Sequence, residues 1–305
     1  MNLHQKRSIL VTGGAGFIGR AVVKHLVRSG CRVVALDRIE GVAAEGFEGY
    51  QTIQCNLADL DQLRRVFHQQ RFAGIIHLAA ILPTAAQRNP KMATQVNVQG
   101  SVNVLEMARQ FHVPRVVYGS SLSIYGTYLA DRTVSEADRA APEDLYGAAK
   151  LYIEQLGRAY RECHGVDFVS LRIGRVVGPG AQSVTSAWRS EIFELLKASY
   201  PAEIRLPYAA SEKILVLHVE DLAMMLEILL KAERTEHAIY NAPCRSILVG
   251  DLKHAAQDLN SHLTVTLGDA KPIGNPQVID FTRFQKEFNF EGVSIFDRLR
   301  RAAAK

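Results

Sequence analysis

The sequence offers little covalent or metal-binding chemistry. Its four cysteines, Cys31, Cys55, Cys163 and Cys244, show no Cys-x-x-Cys spacing. That pattern excludes the usual zinc framework and a disulfide scaffold, and it leaves four reduced thiols and no expected metal. Long apolar runs are missing as well. The longest, such as "ILVTGGAGFIG", are cut by glycine and are too short to span a bilayer. The opening "MNLHQKR" has no apolar signal-peptide core, so a cytoplasmic protein is expected. There is no low-complexity tract and no internal repeat. Excess charge is modest: the net charge is +5, spread along the chain with one cluster at the end, "DRLRRAAAK". That cluster reads as a helix end that favours cations rather than a nucleic-acid patch. The mild positive charge suits an anionic substrate or cofactor.

What the sequence does have is alternation. Strand-like runs at 8–13, 32–37, 50–55, 73–80, 115–121 and 167–173 alternate with helical patterns at 17–30, 60–70, 91–113 and about 143–163. Strands that alternate with helices imply parallel βαβ units. Continuous apolar runs such as "IIHLAA" suit strands buried on both faces. The expected fold is therefore α/β, with a doubly wound parallel Rossmann sheet. After residue 173 the rhythm breaks. "GRVVGPGAQS" (174–183) reads as a loop, 187–198 as a helix, 213–219 as a strand and 220–233 as a helix, and the tail ends in a short helix. A smaller, interleaved C-terminal domain is expected to cover the carboxyl edge of the sheet. Residues 1–173 with about 213–240 would form the cofactor domain. Residues 174–212 and about 241–305 would form the substrate domain.

The first strand runs straight into "TGGAGFIG". Gly13 permits a tight turn, Gly16 lets the backbone approach a pyrophosphate, and Gly19 lets the helix pack on the sheet. The start of that helix, Phe17 and Ile18, supplies unpaired N–H groups and the positive dipole end. A dinucleotide site follows. Asp37 ends the second strand, 24 residues after Gly13. A carboxylate there bonds ribose hydroxyls and repels a 2′-phosphate, which points to NAD. Arg38 beside it could instead accept a 2′-phosphate, so NADP is the alternative.

"DLYGAAK" places Tyr146 and Lys150 four apart. Ten tyrosines and eleven lysines in 305 residues would produce such a match by chance in about one chain in three, so only context gives it meaning. Here Tyr146 follows Ser121, at the end of the fifth strand, by 25 residues. Positions i and i+4 share a helix face. Both side chains can then enter the cleft at the carboxyl edge, where such sheets bind ligands. A phenol is a weak base near pH 7. A neighbouring ammonium and a positive nicotinamide are expected to lower its pKa. Ser121 would position the substrate oxygen while Tyr146 moves the proton.

At this point the chain resembles the extended short-chain dehydrogenase/reductase family, the NAD-dependent epimerase/dehydratase group. The resemblance rests on "TGGAGFIG", "HLAA" (77–80), "VNVQG" (96–100), "SSLSIYG" (120–126), "YGAAK" (146–150), "LR…GPG" (171–180) and "HVEDLA" (218–223). It implies that Ser121, Tyr146 and Lys150 are catalytic and that Lys150 also holds the nicotinamide ribose. It implies that Asn56 and Leu57 lie beside the adenine, that Leu78, Ala79 and Ala80 line the cofactor, and that Asn97 orders the active-site helix. It also implies a homodimer formed through the helices at roughly 91–111 and 143–163.

The departures from the family pattern are informative. Sugar dehydratases of the family carry an Asp-Glu pair where this chain has Leu122 and Ser123. That disfavours water elimination, and decarboxylation likewise. Nucleotide-sugar members carry Asn where Arg175 stands, and Arg-Asp where Ile214 and Leu215 stand. Two nucleotide-diphosphate contacts are therefore missing. A smaller hydroxylated substrate is expected, a sugar or sugar acid, contacted by Ser121, Ser123, Tyr146 and Arg175, with Lys213 and Arg172 as further carboxylate candidates. Ser120 and His77 read as hydrogen-bonders and Tyr125 as lining or core. The expected activity is NAD-dependent hydride transfer at a hydroxyl carbon. The alternatives are a nucleotide-sugar epimerase with tightly held NAD and a non-catalytic NAD-sensing protein.

Overall fold

The computed structural model describes residues 7–39, 49–127, 132–181 and 186–304. Residues 1–6, on which the signal-peptide reading rests, and 182–183, the end of the expected Gly/Pro loop, lie outside the described residues.

The cofactor half begins β1 (Ser8–Thr12), α1 (Phe17–Arg28), β2 (Val33–Asp37), β3 (Tyr50–Gln54), α2 (Leu60–Gln69) and β4 (Phe72–His77). Then come α3 (Pro83–Arg88), α4 (Pro90–Ala93), a wide π-helical stretch Thr94–Gly100, α5 (Ser101–Gln110), β5 (Arg115–Ser121), β6 (Thr133–Val134), α6 (Leu145–His164) and β7 (Asp167–Ile173). The rest is β8 (Arg175–Val177), α7 (Trp188–Glu194), β9 (Ala202–Tyr208), β10 (Lys213–His218), α8 (Val219–Lys231), β11 (Ile239–Asn241), β12 (Arg245–Leu248) and α9 (Val249–Leu259). It closes with β13 (Leu263–Ala270), β14 (Val278–Ile279), α10 (Thr282–Phe288) and α11 (Ile295–Ala304).

Seven strands form one sheet in the order β11-β7-β5-β4-β1-β2-β3. Every pairing in it is parallel. The order reverses between β1 and β4, and the crevice of such a sheet opens at that point. The apolar runs explain the layering. Val11, Ile76 and Val117 are buried against α1 and α8, while Leu10, Ile75 and Val116 are buried against α2 and α5. Each strand thus feeds two cores. Helix α6 starts where Asp144 caps it, its carboxylate accepting from Gly147 N at 2.6 Å. It stops at Gly165, in the left-handed conformation at φ 67°.

Two expectations need correcting. The helix expected over 91–113 is not uniform, because its middle turn widens at Thr94–Gly100. There Asn97 clamps the backbone of Ile81, donating to its carbonyl at 2.9 Å and accepting from its N–H at 2.7 Å. Such insertions mark functional helices. The expected loop 174–183 contains a strand: Arg175–Val177 pairs with Val216–His218. The tail ends in the expected short helix, α11, and further strands precede it. Strands β9 and β13 pair in parallel, and β11 extends the large sheet beyond β7. Strand β10 lies between β8 and β12 in a separate three-stranded sheet. A third core, built on Trp188, Phe193, Ile204, Leu206 and Leu263, fills this region.

Among the described residues no helix is long and apolar enough to cross a membrane.

Candidate active site

The turn after β1 is shaped as a cradle. Gly13 sits at φ +73°, and a Cβ there would come within 2.8 Å of Ala79 N. A Cβ on Gly19 would lie 2.0 Å from the Gly13 carbonyl oxygen, so any side chain there pushes α1 off the sheet. Gly16 is different. A Cβ there would meet only Gly13 O, at 3.2 Å, and its other side is open. Gly16 is also the cap of α1 and provides no side-chain acceptor, so the first amides of α1, at Phe17 and Ile18, present an uncapped positive end. An open backbone face beside an uncapped helix end fits a pyrophosphate, and these residues therefore fit NAD. Arg20 braces the cradle, donating to Ala15 O at 2.7 Å and to Gly180 O at 2.6 Å.

The adenosine side is equally open. Asp37 accepts from Ala15 N at 3.1 Å through one oxygen and from Arg38 N at 2.8 Å through the other. The oxygen facing Ala15 keeps a further lone pair for a ribose hydroxyl, while the other also accepts from Ile39 N at 3.5 Å. Arg38, Gln54, Asn56, Gln62 and Arg65 line a polar groove next to it. Leu57 is buried behind, its carbonyl accepting from Asn103 at 2.7 Å. Leu78 and Ala79 run past β1, bonded to Thr12, and Ala80 continues that segment. Removing the carboxylate in Asp37→Ala is expected to weaken NAD relative to NADP, since the charge that repels a 2′-phosphate is gone while Arg38 stays. Titration of both cofactors checks this. A wild-type protein that already prefers NADP contradicts it.

The structure brings Ser121, Tyr146 and Lys150 together. Ser121 ends β5, opposite Ile173 of β7. Tyr146 and Lys150 lie one turn apart on α6, with the Lys150 Nζ 5.5 Å from the Tyr146 ring centre. Nζ donates to Gly119 O at 2.6 Å and stands 4.6 Å over the Tyr118 ring. Burial drops Lys150 to about 7, against a pull upward from Glu154. The lowering expected for Tyr146 involves a bound nicotinamide as well as Lys150, and the chain alone shows the effect of burial. Burial pushes the Tyr146 phenol up to about 12, and only the Ser121 hydroxyl works the other way. The Ser121 and Ser123 hydroxyls are 2.9 Å apart.

Several other residues resolve plainly. His77 is buried between Thr12 and Ser101, held neutral with its pKa near 3, and serves the core. Tyr125 does not line the site; it is fully buried, its hydroxyl donating to Asn241 and Ser135. Arg172 is no carboxylate candidate, because Glu154 and Tyr125 already take its guanidinium. Lys213 is exposed at the start of β10. Arg175 is 8 % exposed, over the Tyr208 ring at 5.4 Å. Sequence reasoning missed Tyr118, Arg189 and Tyr208. No periodicity marks them, since Tyr118 reads as core and the other two lie after the rhythm has broken.

A doubly wound sheet with a glycine cradle after β1 and a Tyr-x-x-x-Lys helix over β5 defines the extended short-chain dehydrogenase class. The chain belongs to the NAD dependent epimerase/dehydratase family, whose model matches residues 9–242. Among curated proteins it is 33% identical to a UDP-glucose 4-epimerase of Lacticaseibacillus casei over 174 residues, covering 56% of this chain and 52% of that one. It is 29% identical to Protein CapI of Staphylococcus aureus over 182 residues, 56% of this chain and 54% of the other. The chain spans about half the length of the curated relatives it matches. Among solved structures it resembles a GalE-like L-threonine dehydrogenase from Cupriavidus necator, at a TM-score of 0.86 and 21% identity over 97% of this chain and 99% of that one. A UDP-glucose 4-epimerase of Thermus thermophilus, in complex with NAD, gives a TM-score of 0.82 and 24% identity, covering 97% and 98%. At such identities these two likenesses show a shared fold. The family's cofactor is NAD.

Proposed function

We propose that this protein is an oxidoreductase that moves a hydride between NAD and a hydroxyl carbon of a small sugar or sugar-acid substrate. The observation that carries the reading is the convergence of Ser121, Tyr146 and Lys150 at the carboxyl edge of β5, beside the open glycine cradle. Bound there, NAD supplies the hydride acceptor or donor. Gly13, Gly16, Phe17, Ile18 and Gly19 would hold its pyrophosphate, Asp37 and Arg38 its adenosine ribose, Asn56 and Leu57 its adenine. Leu78, Ala79 and Ala80 would wall the cofactor. Lys150 would hold the nicotinamide ribose and keep a positive charge near the phenol. Tyr146 takes the proton from the substrate hydroxyl, or returns it. Ser121, with Ser123 behind it, orients the substrate oxygen.

The same reading divides the chain into a cofactor domain (1–173 with about 213–240) and a substrate domain (174–212 and about 241–305). It also takes the protein as cytoplasmic and as a homodimer. Leu145 and Tyr152 on α6, with Leu82 at the start of the adjoining α3, are exposed apolar groups that such a pairing would cover.

Purified protein mixed with NAD and a panel of polyols, aldoses, sugar acids and UDP-sugars tests the reading. NADH absorbance is expected to rise with a small sugar or sugar acid. The curated relatives favour a second reading, an epimerase acting on a UDP-sugar. Interconversion of a UDP-sugar with no net NADH would establish that one instead.

A further inference from the structure

Three arginines whose side chains are 9% exposed or less face carboxylates. Arg115 meets Asp167, Arg172 meets Glu154, and Arg298 meets Glu220 and Asp221. Arg175, 8 % exposed, has no ion-pair partner among the described residues, and its Nε is buried with no hydrogen-bond acceptor. Arg189 repeats the pattern nearby: its Nε is also buried without an acceptor. Buried donors left unmade are costly. Repulsion registers in Arg189, whose pKa falls to about 10 through burial and then through Arg175.

The local structure sets the direction of Arg175 and ties the backbone of Arg189 to the end of the same strand. On a strand, alternate side chains share a face, so Arg175 leaves β8 on the same side as Val177, which packs against Trp188 and Phe193. The Arg175 guanidinium then lies over Tyr208 of β9, 5.4 Å from the ring centre. Trp188, the neighbour of Arg189, meets the same ring edge-on at 6.3 Å. Gly178 N donates to Arg189 O at 2.9 Å, tying α7 to the end of β8. The catalytic end is close. Ile173 is the register partner of Ser121, and Arg175 is two residues further on, so its Cα lies within about 12 Å of that of Ser121.

We propose that Arg175, lying over Tyr208, and the neighbouring Arg189 form an oxyanion site that takes an acid group of the substrate. This rests on the hydride-transfer reading above and gives the substrate its charge. The shared chemistry is a carboxylate or a phosphate monoester, each offering the paired oxygens that a guanidinium fork accepts. An aromatic face beneath one fork holds it flat and ready.

The test has two arms. The first is direct binding to the full chain with NAD present, read as thermal stabilisation by inorganic phosphate and by gluconate at constant ionic strength. Wild type is expected to be stabilised by at least one of these anions. Arg189→Ala and Arg175→Asn are each expected to bind it roughly ten- to hundredfold more weakly, with NAD affinity unchanged. Arg189→Lys, which keeps the charge and loses the fork, is expected to fall between. Gluconate as the better ligand identifies a sugar acid, and phosphate identifies a sugar phosphate. Equal stabilisation of wild type and variants by both anions overturns the site. Uridine diphosphate binding far more tightly than either, and losing that affinity in both variants, overturns the small-acid assignment. The second arm is KM. For an acid substrate it is expected to rise in both variants with kcat largely kept, and to stay constant for a neutral sugar. Arginine-dependent anion binding without NADH formation from any substrate would refute hydride transfer and leave the oxyanion site standing. NADH formation with unchanged KM in both variants would do the reverse.

Discussion

Replacing Tyr146 with phenylalanine is expected to cut turnover by about 10²–10⁴-fold while leaving NAD affinity nearly unchanged. The ring stays, so packing on α6 and the 5.5 Å approach of Lys150 to that ring are preserved. What is lost is the phenol that bonds the Ser121 hydroxyl. In the chain by itself burial holds this phenol at about 12. A phenol at that value is almost wholly protonated at pH 7, so the charge of Lys150 and of the oxidised cofactor must bring it down during catalysis. For oxidation of an alcohol, the wild-type rate should therefore rise as pH increases and phenolate forms. The variant should lack that slope. Retention of more than a tenth of the wild-type rate removes Tyr146 from its role.

The second large effect is expected from Lys150→Met, and it has opposite signs for activity and stability. Turnover should be lost with the ammonium. The cofactor-free protein should become more stable. Lys150 is 2% exposed and burial drops it to about 7 from 10.5. Between those values the unfolded chain keeps a proton that the folded chain releases, so wild-type stability rises with pH across this window. Below pH 7 the cost of the buried ammonium is fully present. At about 1.4 kcal/mol for each pH unit it amounts to roughly 4–5 kcal/mol. Loss of the bond to Gly119 O offsets about 1 kcal/mol of the gain. The Tm advantage of the variant should be largest below pH 7 and fade by about pH 10.5. Thermal denaturation across that range checks it, and a pH-independent difference would contradict it. Groups held against their own solvation in this way are typical of working sites.

The cofactor half was legible because its signals are strong and local. Strands such as β1, with buried Ile9, Leu10 and Val11, read as apolar runs, and the glycine turn falls at the first strand–helix junction. The wide turn at Thr94–Gly100 was not legible, because it follows from tertiary clamping of Ile81 by Asn97 rather than from helix propensity. The substrate half hides its strands. β8 is three residues long. β9 alternates buried Ile204 and Leu206 with exposed neighbours, yet Pro207 within it argues against a strand. Arg175 was visible as a departure from the family pattern. Arg189 was not, since it lies on a short helix after the strand–helix rhythm has broken. Tyr146 and Lys150 were found by spacing, but their pKa values depend on burial, which no spacing reports.

Hydride transfer itself is tested most directly by isotope. A substrate from the acid panel, deuterated at the carbon that bears the reacting hydroxyl, is mixed with NAD and excess wild-type protein, and the cofactor is examined by mass spectrometry after one turnover. The account predicts deuterium in the reduced cofactor, with none when Tyr146→Phe replaces the wild type. Substrate conversion that leaves the cofactor oxidised and unlabelled, with deuterium lost to solvent, would contradict it.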